Sequence, residues 1–149
     1  MTRVILVRHA EPQIDIDVPS AEWRLTPRGM SSTEQLAAVL ANLGPTLIVA
    51  SPERKAVETG RILADALGIP LEEDACFSEQ EAEPGQFLAD NSEFRAFVRS
   101  HFDHPDEIVM RQESSHSARE RFAAAIRLRF PEHPADEAPV IVSHGRIMA

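Results

Sequence analysis

The sequence predicts an α/β domain with a largely parallel central sheet. Three short apolar runs, at residues 4–7, 47–50 and 140–142, are typical of strands that are buried on both faces. Between them lie segments whose apolar residues recur at helical spacing. Because strands that alternate with helices are usually joined by crossovers, we expect these strands to run parallel in one sheet.

Four helices are predicted in chain order. The first lies within residues 28–44 and ends at a Gly-Pro stop signal. The second covers residues 54–68, with Gly68 as its C-cap and a proline shortly beyond. The other two are expected around residues 92–102 and 115–130.

The segment from residue 71 to residue 90 is less regular. It carries many acidic side chains and a Pro84-Gly85 turn signal. We therefore expect an acidic loop that passes over the sheet. No internal repeat or low-complexity tract divides the chain, and its 149 residues fit a single domain, 1–149.

Composition and charge exclude several classes of protein. A formal net charge of −9 disfavours a nucleic-acid surface, because phosphate backbones are bound by basic patches. No apolar run approaches the ~20 residues of a membrane span, and the N-terminus lacks a signal-peptide pattern. The single Cys76 cannot form an internal disulfide. We expect a cytoplasmic chain without nucleic-acid or membrane partners; its oligomeric state is not indicated.

Polar side chains follow each of the three predicted strands. Arg8 and His9 end the first strand, Arg54 follows the second, and His144 follows the third. Ligands of open parallel α/β sheets bind outside the carboxyl ends of the strands, so we expect these four residues to face one crevice.

Two arginines and two histidines suit a dianionic phosphoryl group. Each guanidinium can donate two parallel hydrogen bonds to phosphate oxygens. One neutral imidazole can attack phosphorus and form a phosphohistidine, while the other donates a hydrogen bond to the phosphoryl oxygens. Such a site needs no metal ion and no cofactor.

The same residues resemble the motifs of the histidine phosphatase superfamily, also called phosphoglycerate mutase-like. The family's Arg-His-Gly-Glu appears at residues 8–11 as RHAE, and its late Ser-His-Gly at residues 143–145. Its Ser-Pro-x-x-Arg-Ala-x-x-Thr-Ala is similar to SPERKAVETG at 51–60, if Arg54 takes the arginine's place one position early. The resemblance implies a three-layer α/β/α fold.

The resemblance also implies roles for individual residues. His9 is then the nucleophile, and Arg8, Arg54 and His144 form the phosphate pocket around it. The family's proton donor, a glutamate in a Leu-x-Glu segment, falls on Glu79. Glu81 and Glu83 are rivals for that role.

Three departures from the family pattern bear on these expectations. Ala10 replaces a glycine, and Asp15 stands where an asparagine is common. The sequence stops at Ala149, whereas the family continues after Ser-His-Gly into a helix and further structure. We expect either a truncated C-terminus or an unusually short domain.

The resemblance implies a metal-independent phosphatase that hydrolyses a phosphomonoester through a phosphohistidine intermediate. Its partner would be a small phosphorylated substrate or a phosphoprotein. Three alternatives stay open: a phosphohistidine or phosphoprotein phosphatase, a phosphoglycerate-type mutase, and a catalytically weak phosphate-binding module. A mutase is disfavoured because the short chain leaves little room to enclose a sugar phosphate.

Two other features have competing interpretations. The close spacing of His101, Asp103, His104 and Asp106 suggests a metal site, but it lacks familiar zinc spacing and we expect a solvated helix end. Trp23 is expected either at the pocket mouth or in the core.

Overall fold

Four parallel strands form one sheet in the computed structural model, which describes residues 3–80, 91–108, 113–131 and 138–148. The strands are β1 (Ile5–Arg8), β2 (Pro45–Ala50), β3 (Leu71–Glu73) and β4 (Ala138–Ser143). Their spatial order is β1-β4-β2-β3, so the last strand of the chain lies between the first two. The three predicted strands and their parallel arrangement are confirmed, but the expected burial on both faces is wrong for β1, which lies at an edge of the sheet and is only partly buried.

Helices occupy the four predicted segments. They are α1 (Pro27–Leu40), α2 (Arg54–Leu67), α3 (Asn91–Asp103) and α4 (Ser115–Arg129). Gly68 ends α2 with a left-handed φ of 68°, as predicted for its C-cap, and its N–H donates to Ala64. Short 3-10 turns lie at Ser20–Glu22, Ala41–Leu43 and Ala75–Phe77. None of the helices in the described ranges is long and apolar enough to cross a membrane.

Two apolar cores lie on opposite faces of the sheet. Successive residues of a strand point to opposite faces, so neighbours such as Val140 and Ile141 enter different cores. Residues of α1 and α2 pack in one core, and residues of α4 pack with Phe77 in the other. The three-layer α/β/α fold predicted from the resemblance is therefore confirmed.

The strand β3 was missed by the sequence analysis, which expected an acidic loop there. Leu71 pairs with Ile48 of β2, and the next two residues, both glutamates, continue the ladder at the sheet edge. An edge strand pairs through its backbone and leaves side chains in water, so it does not need a buried apolar pattern. The rest of that segment, residues 81–90, lies outside the described residues.

A close backbone contact joins the start of α1 to the segment after His9. The Thr26 hydroxyl caps α1 by accepting from the Gly29 N–H at 2.9 Å, and the Thr26 N–H donates to the Glu11 carbonyl at 3.0 Å. A Cβ on Gly29 would lie 2.5 Å from that same carbonyl oxygen. Only glycine fits here without moving the backbone that follows His9.

We expect Gly29→Ala to lower the free energy of unfolding by about 1–3 kcal/mol, because the new methyl group overlaps the Glu11 carbonyl. The intrinsic preference of helices for alanine over glycine, about 1 kcal/mol, would act in the opposite direction. Urea unfolding of Gly29→Ala and of the exposed control Ser31→Ala measures the difference. A stabilised Gly29→Ala protein would contradict the close contact.

Candidate active site

The carboxyl ends of β1, β4 and β2 meet at one edge of the sheet. Arg8 is in register with Ser143, and the His9 N–H donates to the Ser143 carbonyl at 2.8 Å. On the other side of β4, the Ser51 N–H donates to Val142 at 2.9 Å. The rings of His9 and His144, from opposite ends of the chain, have their centroids 5.1 Å apart.

The hydrogen bond of the His9 ring fixes which of its two nitrogens is unprotonated. Nδ1 lies 2.8 Å from the Ala10 carbonyl oxygen. Since a carbonyl can only accept, Nδ1 carries the proton and Nε2 keeps its lone pair. Burial lowers the pKa of His9, as do the charges of Lys55 and Arg8, against the raising effects of the Ala10 bond and Glu53. His9 is thus held as a neutral imidazole with a free Nε2.

His144 is a buried, neutral side chain beside the second strand. It is 1% exposed, and its Nε2 lies 2.8 Å from Ser51 Oγ and 3.2 Å from Glu53 Oε1. The Ser51 hydroxyl can donate or accept, but the Glu53 carboxylate can only accept, so Nε2 carries the ring proton. Burial is the main cause that lowers the pKa of His144, and the charge of Lys55 lowers it further.

The structure brings Lys55, and not Arg54, to the two histidines. Lys55 is 5% exposed, donates from Nζ to the Ser20 carbonyl at 2.7 Å, and is ion-paired with Glu53. The Arg54 side chain is 43% exposed, and its Nε is 3.0 Å from Glu58. Adjacent residues of a helix point about 100° apart, so only one of the two can face the crevice. The prediction for Arg54 is corrected accordingly.

Arg8 lies over the turn that follows His144. A Cβ on Gly145 would be 3.3 Å from Arg8 Nε, so the side chain of Arg8 runs along the glycine. Its charge contributes to the lowered pKa of both histidines, after burial and the charge of Lys55. Arg8 therefore lies beside the turn after His144, and its role in a phosphate pocket stays a prediction.

Thr59 of the second motif fixes the backbone next to His9. Its hydroxyl accepts from the Ala10 N–H at 3.0 Å and donates to the Lys55 carbonyl at 2.7 Å. One buried side chain thus ties the segment after β1 to the first turn of α2.

Glu79 lies beside this cluster, but its carboxylate faces the turn after His144. It accepts from the backbone N–H of Ile147 at 3.0 Å and of Arg146 at 3.3 Å, and it is ion-paired with the Arg146 guanidinium. Its own backbone N–H donates to Glu53 Oε1 at 3.0 Å. The rivals Glu81 and Glu83 lie outside the described residues.

Glu53 is a site residue that the sequence analysis did not single out. Its carboxylate contacts His144, Lys55 and the backbone of Glu79, and its side chain is 13% exposed. It occupies a variable position of the Ser-Pro-x-x motif, so the pattern gave no signal for it. Its ion pair with the buried Lys55 identifies Glu53 as a site residue, and that contact is visible only in the folded structure.

Trp23 was expected either at the pocket mouth or in the core. Trp23 is buried, donates from Nε1 to the Asp15 carbonyl at 2.8 Å, and has Lys55 Nζ 5.9 Å from its ring centroid. It is thus both a core residue and a neighbour of the pocket.

His101 is buried rather than solvated, so the expected solvated helix end is wrong for this residue. It is 0% exposed, and neither ring nitrogen has a hydrogen-bond partner within the part of the chain that the structure describes. Burial lowers its pKa. His104, three residues on, is exposed as expected. Within residues 3–80, 91–108, 113–131 and 138–148, no three His, Cys, Asp or Glu side chains cluster as metal ligands would.

Comparison with known proteins gives one family over almost the whole chain. The family model for the histidine phosphatase superfamily (branch 1) matches residues 4–149. A curated relative, the probable phosphoglycerate mutase GpmB of Proteus mirabilis (strain HI4320), is 28% identical over 154 residues, which cover 97% of this chain and 70% of that protein.

Solved structures of phosphatases share the fold. The mycobacterial glucosyl-3-phosphoglycerate phosphatase Rv2419c matches with a TM-score of 0.78 and 21% identity, over 99% of this chain and 76% of that one. The alpha-ribazole phosphatase from Shigella flexneri matches with a TM-score of 0.70 and 20% identity, over 99% and 76% of the two chains. The family and the fold predicted from the sequence are confirmed, and these relatives agree with the predicted class of enzyme.

The buried, neutral state of His144 predicts how stability changes with pH. In the unfolded chain its pKa returns to 6.5, so below that pH the unfolded state binds more protons than the folded state. The contribution is fully present above pH 6.5 and is lost as the pH falls. We expect a lower free energy of unfolding at about pH 5 than at about pH 7.5.

The matched variant is His144→Gln, which has no proton to gain and should lose less stability over the same interval. His9 and His101 shift in the same direction, so some loss should remain in the variant. Urea unfolding of both proteins at the two pH values measures this. Equal losses would show that His144 is not buried as a neutral ring.

Proposed function

The chain belongs to the histidine phosphatase superfamily, and on that premise we propose that it hydrolyses a phosphomonoester through a phosphohistidine on His9, with no metal ion. The observation that carries the proposal is the pair of neutral imidazoles, His9 and His144, with ring centroids 5.1 Å apart beside Arg8 and Lys55. This arrangement offers a nucleophile, a neutral donor and two cations to one phosphoryl group.

In the first step, His9 Nε2 attacks phosphorus with its lone pair. The P–N bond forms while the bond from phosphorus to the leaving oxygen breaks, and that oxygen takes a proton from a general acid. The hydrogen bond from Nδ1 to Ala10 stabilises the positive charge that develops on the ring. Arg8 and Lys55 offset the negative charge on the phosphoryl oxygens.

In the second step, water attacks the phosphohistidine. The general base takes a proton from the water, the P–N bond breaks, and the electron pair returns to His9 Nε2. The products are inorganic phosphate and the regenerated neutral imidazole. His144 donates from Nε2 to a phosphoryl oxygen throughout, a role that suits a ring held neutral by burial.

We assign the general acid and base to Glu79. Its support is its position in the family's Leu-x-Glu segment, and its place next to the turn that carries His144. To reach a leaving oxygen, the Glu79 carboxylate must give up its hydrogen bonds to Arg146 and Ile147. Rotation about the side-chain bonds of Glu79 would turn the carboxylate toward the substrate.

The proposed substrate is a small phosphorylated molecule. The relative named as a phosphoglycerate mutase favours one second candidate, transfer of the phosphoryl group to another hydroxyl instead of to water. The two differ in the fate of the phosphohistidine: hydrolysis releases inorganic phosphate from any aryl phosphate, whereas a mutase needs a second hydroxyl as acceptor.

The experiment that tests the proposal is a rapid-quench assay with an aryl phosphate in the presence of a metal chelator. We expect turnover and an acid-labile phosphoenzyme in the unchanged chain, and neither in His9→Ala, because alanine has no nitrogen that could attack phosphorus. His104→Ala, which removes an exposed histidine, should keep both. A phosphoenzyme that persists in His9→Ala would contradict the assignment of the nucleophile.

Substitution of the two neighbouring basic residues tests the corrected phosphate pocket. We expect Lys55→Met to weaken the binding of inorganic phosphate by about tenfold or more, since a charge-assisted contact of a buried ammonium is lost. Lys55→Arg should restore most of the affinity, whereas Arg54→Met should change it by less than about threefold.

Isothermal titration with inorganic phosphate measures these affinities, and circular dichroism at the same concentration checks that each variant is folded. A larger loss in Arg54→Met than in Lys55→Met would return Arg54 to the pocket.

A further inference from the structure

We propose that the Glu53 carboxylate acts as an internal anion that occupies the phosphate pocket of the free protein and must be displaced by the phosphoryl group. This inference rests on the proposed function, since it takes the same pocket and the same donors. It makes Glu53 the residue that limits phosphate affinity in this chain.

The contacts of Glu53 are those expected of a bound phosphate. One carboxylate oxygen lies 3.2 Å from His144 Nε2, and the other contacts Lys55 Nζ. These are the neutral donor and the buried cation that the proposed mechanism assigns to the phosphoryl oxygens. A carboxylate has two acceptor oxygens in a plane, and a phosphoryl group has three in a pyramid. Either group can therefore accept hydrogen bonds from the same two donors.

Burial strengthens the ion pair between Glu53 and Lys55. Lys55 is 5% exposed and the Glu53 side chain 13%, so water screens their attraction poorly. An ammonium at this depth requires a partner, and Glu53 supplies it in the absence of ligand. Phosphate therefore enters by exchange for a carboxylate and not by filling free donors.

The charges around the pocket also indicate that Glu53 opposes the binding of a phosphate dianion. With His9 and His144 neutral, the positive charge near a phosphate dianion comes from Arg8, Lys55 and Arg146; Glu53 offsets the charge of Lys55, as Glu79 offsets that of Arg146. Glu53 is also the carboxylate whose charge raises the pKa of His9, which places it within electrostatic reach of the nucleophile. A dianion bound at His9 is then repelled by Glu53 unless that side chain moves.

The position of Glu53 allows it to leave. The residue precedes the first turn of α2 in an extended conformation, with φ −64° and ψ 134°, and its side chain does not cap the helix. Among the described residues, its carboxylate has one further polar contact, with the Glu79 N–H. Rotation about its side-chain bonds frees Lys55 and His144 without disturbing α2.

The variant Glu53→Gln tests the proposal, because glutamine keeps the size and an acceptor oxygen but removes the charge. We expect it to bind inorganic phosphate about tenfold more tightly than the unchanged chain, measured by isothermal titration, and to show a similarly lower KM with an aryl phosphate. Asp65→Asn, which removes the same charge from an exposed position of α2, should leave affinity and turnover unchanged. A purely structural role of Glu53 would weaken phosphate binding instead.

The outcomes separate this proposal from the proposed function. Unchanged or weaker phosphate binding by Glu53→Gln, in a setting where the unchanged chain binds phosphate and forms the phosphoenzyme, overturns the proposal and leaves the phosphatase function standing. An unchanged chain that neither binds phosphate nor forms a phosphoenzyme overturns the function, and the proposal with it.

A second variant covers failure of Glu53→Gln to fold. Glu53→Asp keeps the charge but is one methylene shorter and reaches His144 and Lys55 less well. We expect it to bind inorganic phosphate more tightly than the unchanged chain. Affinity equal to or below that of the unchanged chain would overturn the proposal.

Discussion

The pairing of β4 between β1 and β2 is the constraint on which the rest of the structure depends. All six residues of β4 are buried, and its backbone is paired on both sides. This central position lets residues from the two ends of the chain and from its middle meet at one edge of the sheet. Because β4 pairs with β1, His9 and His144 lie side by side although they come from opposite ends of the chain.

Burial at that edge then decides the charge state of the site. Desolvation disfavours the charged form of both histidines, so they remain neutral, as the proposed mechanism requires of its nucleophile and its hydrogen-bond donor. Positive charge is left to Arg8, Lys55 and Arg146; Lys55 is buried together with its counter-ion Glu53, and Arg146 is ion-paired with Glu79. The free pocket is thus satisfied internally, and ligand binding exchanges one anion for another.

Corrections to the sequence analysis have a common cause, which is that local patterns do not show what a side chain faces. Arg54 and Lys55 are adjacent in sequence, and the motif's spacing gives the arginine's place to Lys55; the match to residue type favoured Arg54, whereas the orientation of α2 brings Lys55 into the crevice. His101 lies among polar residues that suggested a solvated helix end, yet tertiary packing buries it. The β3 strand lacks a strand pattern because backbone pairing with β2, and not burial of side chains, holds it at the edge.

The sequence by itself determined the fold class, the family, the four helices and three of the four strands, β1, β2 and β4. Apolar periodicity and the motifs at strand ends are local signals, because a buried strand or a helix face needs particular residues at particular spacings. Only the tertiary structure decided that Glu53 bridges His144 and Lys55 and that Glu79 faces the turn after His144. These depend on distances between segments far apart in the chain, which no local spacing encodes.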